Sequence, residues 1–134
     1  MNYLVDTHCL IWSLFDPGKM TASYRKLLLD SSTTKLVSKI SYWEIAIKYS
    51  LGKLHLEGIT PEELLPAALQ AGYELYDISA EDLLSSYRLP QCKTHRDPFD
   101  RLLVWQCIRN KIVFISADSK VNQYAKHGLK LANA

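Results

Sequence analysis

Apolar positions along the chain fall into short blocks whose period alternates between two and about 3.6 residues. Residues 2 to 5 read as a short buried strand, after which Leu10, Ile11, Leu14 and Phe15 recur at helical spacing until Asp16-Pro17-Gly18 breaks the pattern. Thr21 is placed to cap a second helix running to about Leu29, with Tyr24, Leu27 and Leu28 as its apolar face. A strand over residues 35 to 38 leads to a helix opened by Ser41, carrying Ile45, Ile47 and Leu51 and closed by Gly52. Residues 53 to 56 read as a brief extended arm. Pro61 starts a helix through Leu64, Leu65, Ala68 and Leu69, which Gly72 ends. Residues 73 to 78 alternate as a strand, and Ser79 caps the helix that bears Leu83, Leu84 and Tyr87.

After Leu89-Pro90, a polar loop ends in Arg96-Asp97-Pro98-Phe99-Asp100, and the longest predicted helix follows to about Asn110. Residues 112 to 116 are strongly β-prone. Asp118 ends that strand and begins a helix through Val121, Tyr124 and Ala125, stopped at His127-Gly128, before a last strand at residues 129 to 132. Strands with near-continuous apolar cores, separated by helices, predict an α/β fold: a central, mostly parallel sheet of about five short strands covered on both faces. No repeat, linker or low-complexity tract divides the chain, so residues 1–134 are expected to form one domain.

The chain has 134 residues, enough to bury a sizeable core without disulfide or metal staples. It is 48% hydrophobic and 22% charged, the composition of an ordinary globular protein. No apolar run approaches the roughly 18 residues of a membrane span. The first residues lack the basic and apolar pattern of a secretion signal. The cysteines, Cys9, Cys92 and Cys107, have neither zinc-site nor disulfide-framework spacing. A reducing, cytoplasmic location is expected. A net charge of +2 is too small to mark a nucleic-acid binder and excludes none.

Four acids fall where strands give way to helices. Asp6 and Asp118 end the first and fourth strands, Glu44 lies early in the helix after the second, and Asp100 lies in the first turn of the helix before the fourth. In open parallel sheets, sites form beyond the carboxyl ends of the strands, so all four can share one edge. Each acid also has a purely structural explanation. Ser41-x-x-Glu44 has the form of a capping box, Asp97-Pro98-x-Asp100 that of a helix start, and Asp118 can cap its own helix. For Asp6, a cap is one candidate partner among several.

The conjunction carries more than any one acid. Two carboxylates ~6 Å apart repel by about 3 kcal/mol at an effective dielectric near 20. Converging four would use up much of a domain's roughly 5–15 kcal/mol of stability unless a cation joined them. All-carboxylate ligation selects hard ions, Mg²⁺ or Mn²⁺, over zinc. Such an ion can activate water for phosphodiester hydrolysis.

Leu4-Val5-Asp6-Thr7-His8, Ser41-Tyr42-Trp43-Glu44-Ile45, His95-Arg96-Asp97-Pro98-Phe99-Asp100-Arg101-Leu102-Leu103 and Phe114-Ile115-Ser116-Ala117-Asp118 resemble, in order and spacing, the four acidic motifs of PIN-domain ribonucleases. The resemblance is strongest to VapC-type toxins of bacterial toxin–antitoxin pairs and covers essentially the whole chain. It implies a Mg²⁺- or Mn²⁺-dependent endoribonuclease, usually a homodimer, silenced by a cognate antitoxin whose C-terminal segment blocks the active-site groove. It implies Asp6, Glu44 and Asp100 as the core acids, with Asp118 as the fourth. Thr7 and Ser116 match the hydroxyl residues beside the first and fourth acids, and His8 stands where many relatives have Asn. Asp100 aligns with the third acid, and Asp97 is left as a helix cap or an outer ligand.

Other residues have ordinary expectations. Arg101 is placed either to clamp a phosphate or to balance the acids. His95 and His127 are expected at the surface. Trp43 and Ile47, four apart, are expected in the core, as are Trp12 and Phe15, although an apolar face on the first helix would also suit a dimer or antitoxin groove. Two other functions compete: a Mg²⁺-dependent phosphatase-like enzyme, whose second aspartate two residues after Asp6 is missing here, and a catalytically weak PIN-fold binding module.

Overall fold

The computed structural model describes residues 1 to 132. At its centre, β1 (Asn2–Val5) pairs with β2 (Thr34–Ser38) on one side and β4 (Val113–Ile115) on the other. β3 (Tyr73–Tyr76) and β5 (Lys130–Leu131) complete a sheet of order β3-β2-β1-β4-β5. Every pairing is parallel, with Tyr3 in register with Lys35 and Val113. The carboxyl-terminal halves of the central strands are continuously buried, Leu4-Val5, Leu36-Val37 and Phe114-Ile115, because both faces of the sheet are covered there. Leu4, Leu36 and Phe114 enter one core cluster, and their neighbours Val5, Val37 and Ile115 enter the other, as the alternation of a strand requires.

Helices α1 (Thr7–Phe15), α2 (Ala22–Leu29), α3 (Lys39–Ser50) and α4 (Leu64–Gln70) supply Leu10, Leu28, Ile45 and Leu64 to the Val5 side. α6 (Pro98–Asn110) and a 3-10 run (Ser119–His127) supply Leu103, Val104 and Tyr124 to the Leu4 side. α5 (Ala80–Ser85) docks on α6, where Arg109 Nε donates to Asp82 Oδ1 at 3.1 Å. Among the described residues, no helix is long and apolar enough to cross a membrane.

Several local expectations shift. Ser38, the last residue of β2, accepts from the Ile40 amide at 3.2 Å and so caps α3, which begins without a loop. Ser41 is therefore inside the helix, and Glu44 lies in its second turn. Residues 53 to 56 form no strand, and residues 119 to 127 wind as 3-10 rather than α-helix, ending at Gly128 with φ 101°. Trp43 is 63% exposed and Phe15 48%, so neither is in the core. On α3, the inward stripe is Ile40, Ser41, Glu44 and Ile45. Polar residues of the site occupy inward positions there, which is why hydrophobic spacing misplaced Trp43.

Candidate active site

Because all strands are parallel, β1, β2 and β4 end on the same edge of the sheet, and the acids collect there. Asp6 follows β1 directly and is 7% exposed. Its Oδ1 accepts from the Cys9 amide at 2.7 Å, so it caps α1 after all. Burial raises its pKa, against the opposing pull of the Ser116 hydroxyl and the Cys9 amide.

Glu44 reaches the same edge from α3 and is 1% exposed. Thr7 Oγ1, 2.6 Å from Glu44 Oε1 and 3.0 Å from Ser41 Oγ, ties α1 to α3. The other Glu44 oxygen is paired with Lys48, one turn along. Burial works against the Lys48 ammonium, but Glu44, with Asp97 and Asp100 behind it, leaves its pKa raised overall.

Asp97 and Asp100 divide two tasks. Asp97 caps α6, with Oδ1 accepting from the Phe99 amide at 2.9 Å and the Asp100 amide at 3.2 Å, while Oδ2 lies 3.6 Å from Lys48 Nζ. Asp100 sits between the other acids: its carboxyl is pushed up to about 7, first by burial and then by the charges of Asp97, Glu44 and Asp6. Asp118 follows β4 and caps the 3-10 run, accepting from the Lys120 amide at 3.0 Å, and its own amide donates to Ser116 Oγ at 3.1 Å.

A cavity of about 310 Å³ is lined by Asp6, His8, Asp100, Ser116, Asp118 and Lys120, among others. Carboxylate oxygens of Glu44, Asp97 and Asp100 lie within 4.8 Å of one another, as do ligand atoms of His95, Asp100 and Asp118. Glu44 and Asp118 thus lie with Asp100 in those two groups, while Asp6 is in neither and shares the cavity wall with Asp100 and Asp118.

His95 is the main correction. Far from the surface, it is 3% exposed. Its Nδ1 lies 2.8 Å from the Tyr124 hydroxyl, and its Nε2 points at Asp100 Oδ2 (3.9 Å) and Asp118 Oδ2 (3.7 Å). Burial lowers its pKa against the opposing charge of Asp118, which favours the neutral ring. Arg101 does not face a phosphate site: it donates to Tyr124 and to the Leu89 and Pro90 carbonyls. Lys48 could have been found from its spacing to Glu44. His95 had no such signal, because Tyr124 and Asp118 are far away along the chain.

A family model described as the PIN domain matches residues 3–127. The chain belongs to the PIN domain family. Solved structures share its fold. A chain of VapBC2 from Rickettsia felis, bound to a DNA fragment from their promoter, superposes with a TM-score of 0.68 at 19% identity, covering 99% of this chain and 98% of that one. VapBC-1 from nontypeable Haemophilus influenzae gives 0.66 at 19% identity, with 99% and 98% covered. DNA-bound VapBC from Salmonella typhimurium gives 0.65 at 14% identity, with 98% and 97% covered. No curated protein matches the chain significantly by sequence.

The donor set of this PIN domain fits a hard divalent cation. Glu44 is already paired with Lys48, whereas Asp6 and Asp100 have raised pKa values and, among the described residues, no lysine or arginine ion pair. The charge deficit of the cluster is concentrated at Asp6 and Asp100, on the wall of the cavity.

Proposed function

We propose that the chain is a Mg²⁺- or Mn²⁺-dependent endoribonuclease and the toxin of a toxin–antitoxin pair, acting in the cytoplasm as a homodimer and silenced by a cognate antitoxin. The convergence of Asp6, Glu44, Asp100 and Asp118 on the carboxyl edge of a PIN-domain sheet carries the reading. The fold shared with chains from VapBC complexes, two of them bound to DNA, supports the toxin role and the antitoxin partner.

In this reading, Asp6, Glu44 and Asp100 are the principal cation ligands and Asp118 completes the pocket, with Glu44 reaching the ion from the Asp100 side. A bound divalent ion supplies Lewis-acid stabilisation of phosphate charge and a more acidic water. Thr7 and Lys48 hold the Glu44 carboxylate in place beside Asp100. Lys120 and His8, on the cavity wall, offer donors to an RNA phosphate. Direct attack by water leaves a 5′-phosphate and a 3′-hydroxyl.

The test is incubation of RNA with the purified protein and Mg²⁺ or Mn²⁺, against EDTA and against Asp6→Asn and Asp100→Asn. Cation-dependent cleavage by the parent chain alone is expected. Equal cleavage by all three proteins sinks the assignment.

A further inference from the structure

His95 is buried, yet its Nε2 has no hydrogen-bond partner, a costly arrangement for a ring nitrogen. It lies 3.9 and 3.7 Å from two carboxylate oxygens, too far for a hydrogen bond but close enough that a small approach of either acid would make one. The hydrogen bonds on the other side of the ring favour one tautomer. Arg101 Nη1, which can only donate, gives a hydrogen bond to the Tyr124 oxygen at 3.0 Å. The Tyr124 proton then has His95 Nδ1, at 2.8 Å, as its acceptor. Nδ1 thus accepts, and the ring proton is on Nε2, facing Asp100 and Asp118. Arg101 is itself anchored by the Leu89 and Pro90 carbonyls, so the chain from Arg101 through Tyr124 to His95 is fixed at its far end.

We propose that His95 is a positioning residue of the cation site: its Nε2–H, oriented by Arg101 and Tyr124, grips the Oδ2 oxygens of Asp100 and Asp118 when a divalent cation draws the two carboxylates together. The ring itself has no solvent-accessible Nε2 and acts through the acids rather than on RNA. Asp118 is then held from two sides, by the Lys120 amide on Oδ1 and by His95 on Oδ2. Asp100 gains the same ring N–H as a donor to its Oδ2. The alternative, in which Nε2 is a bare nitrogen ligand to the ion, requires the opposite tautomer and a different partner for the Tyr124 proton.

The inference rests on the cation-dependent nuclease reading for what binds there, and its test separates the two. Calorimetric titration of the full chain with Mn²⁺ compares the parent with Tyr124→Phe, His95→Ala and His95→Gln. Loss of an outer-shell partner weakens metal affinity by about 10–100-fold. That loss is expected for His95→Ala and, at its lower end, for Tyr124→Phe, which removes one oxygen from a ring that still packs. His95→Gln, which keeps an N–H donor at similar reach, is expected to restore most of the affinity. Nitrogen-15 NMR of the parent with Mg²⁺ is expected to show His95 protonated on Nε2. Unchanged affinity in His95→Ala and Tyr124→Phe overturns the proposal, as does a bare Nε2 in the Mg²⁺-bound protein. Failure of the parent chain to bind Mn²⁺ overturns the functional reading as well.

Discussion

Thr7 Oγ1 lies 2.6 Å from Glu44 Oε1, across a sequence separation of 37 residues, and Lys48 holds the other oxygen of the same carboxylate. A carboxylate 1% exposed is thereby matched on both sides. Breaking a hydrogen bond to a buried charged group costs about 1.5–3 kcal/mol. Thr7→Val and Lys48→Met are each expected to lose stability of that order in urea denaturation. Adding Glu44→Gln to Lys48→Met is expected to recover part of it, because the stranded charge is gone. If the double variant is less stable than Lys48→Met, the pair does not act as described.

Asp6 combines two roles that substitution can separate. Asn caps a helix about as well as Asp, whereas Ala loses roughly 1 kcal/mol. Asp6→Asn is therefore expected to fold at least as stably as the parent, since a buried carboxylate with a raised pKa is replaced by a neutral amide. Asp6→Ala is expected to be less stable by about 1 kcal/mol. Both are expected to lose cleavage. Activity surviving in Asp6→Asn removes the charge from the mechanism and leaves only the cap.

Asp100 predicts a pH signature in the cation-free protein. Its carboxyl is raised from the ordinary 3.8 to about 7, so the folded state holds the proton more tightly than the unfolded chain. The resulting stability is fully present below about pH 4 and is lost as pH rises through about 7. Buried His95 works the other way, losing stability as pH falls below its ordinary range. The quantity to measure is the difference in Tm between the parent and Asp100→Asn in EDTA, with Asp100→Asn in a His95→Gln background against His95→Gln alone separating the His95 contribution. That difference is expected to move against the parent from about pH 5 to about pH 8 and to be reversed by Mg²⁺. A flat difference contradicts the charge crowding at Asp100.

Trp43 is 63% exposed beside Glu44 and packs edge-on against Phe99, next to Asp100, with centroids 5.4 Å apart and planes at 79°. If the proposed ribonuclease function holds, an exposed aromatic beside these acids can stack a base, worth about 1–3 kcal/mol. Trp43→Ala, in the non-cleaving Asp6→Asn background, is expected to weaken binding of single-stranded RNA by that amount. Its folding stability is expected to change by less than about 1 kcal/mol. RNA affinity equal to that of the Asp6→Asn parent removes Trp43 from the interface.

Strand positions, the parallel sheet and the four acids were legible in the sequence because each is written locally. Apolar blocks of period two, caps such as Thr21 and Ser79, and an acid at the end of a strand all act within a few residues. Such patterns also made Asp97 readable as a cap, which it is. What they could not convey is which face of a helix is polar on purpose. Trp43 looked like core and Ser41 like a cap because α3 turns its hydroxyl and carboxylate inward, toward partners on α1 and α6.

The sequence alone determined that carboxylates sit at strand ends in an α/β chain whose motifs resemble the PIN family. Tertiary structure decided how they are balanced: Glu44 paired with Lys48, Asp6 and Asp100 left with raised pKa values, and His95 buried behind Asp100 and Asp118. Hydrophobic period and capping depend on neighbours along the chain. Charge balance and the burial of a polar ring depend on groups brought within a few ångströms by folding, and no spacing in the sequence records that distance.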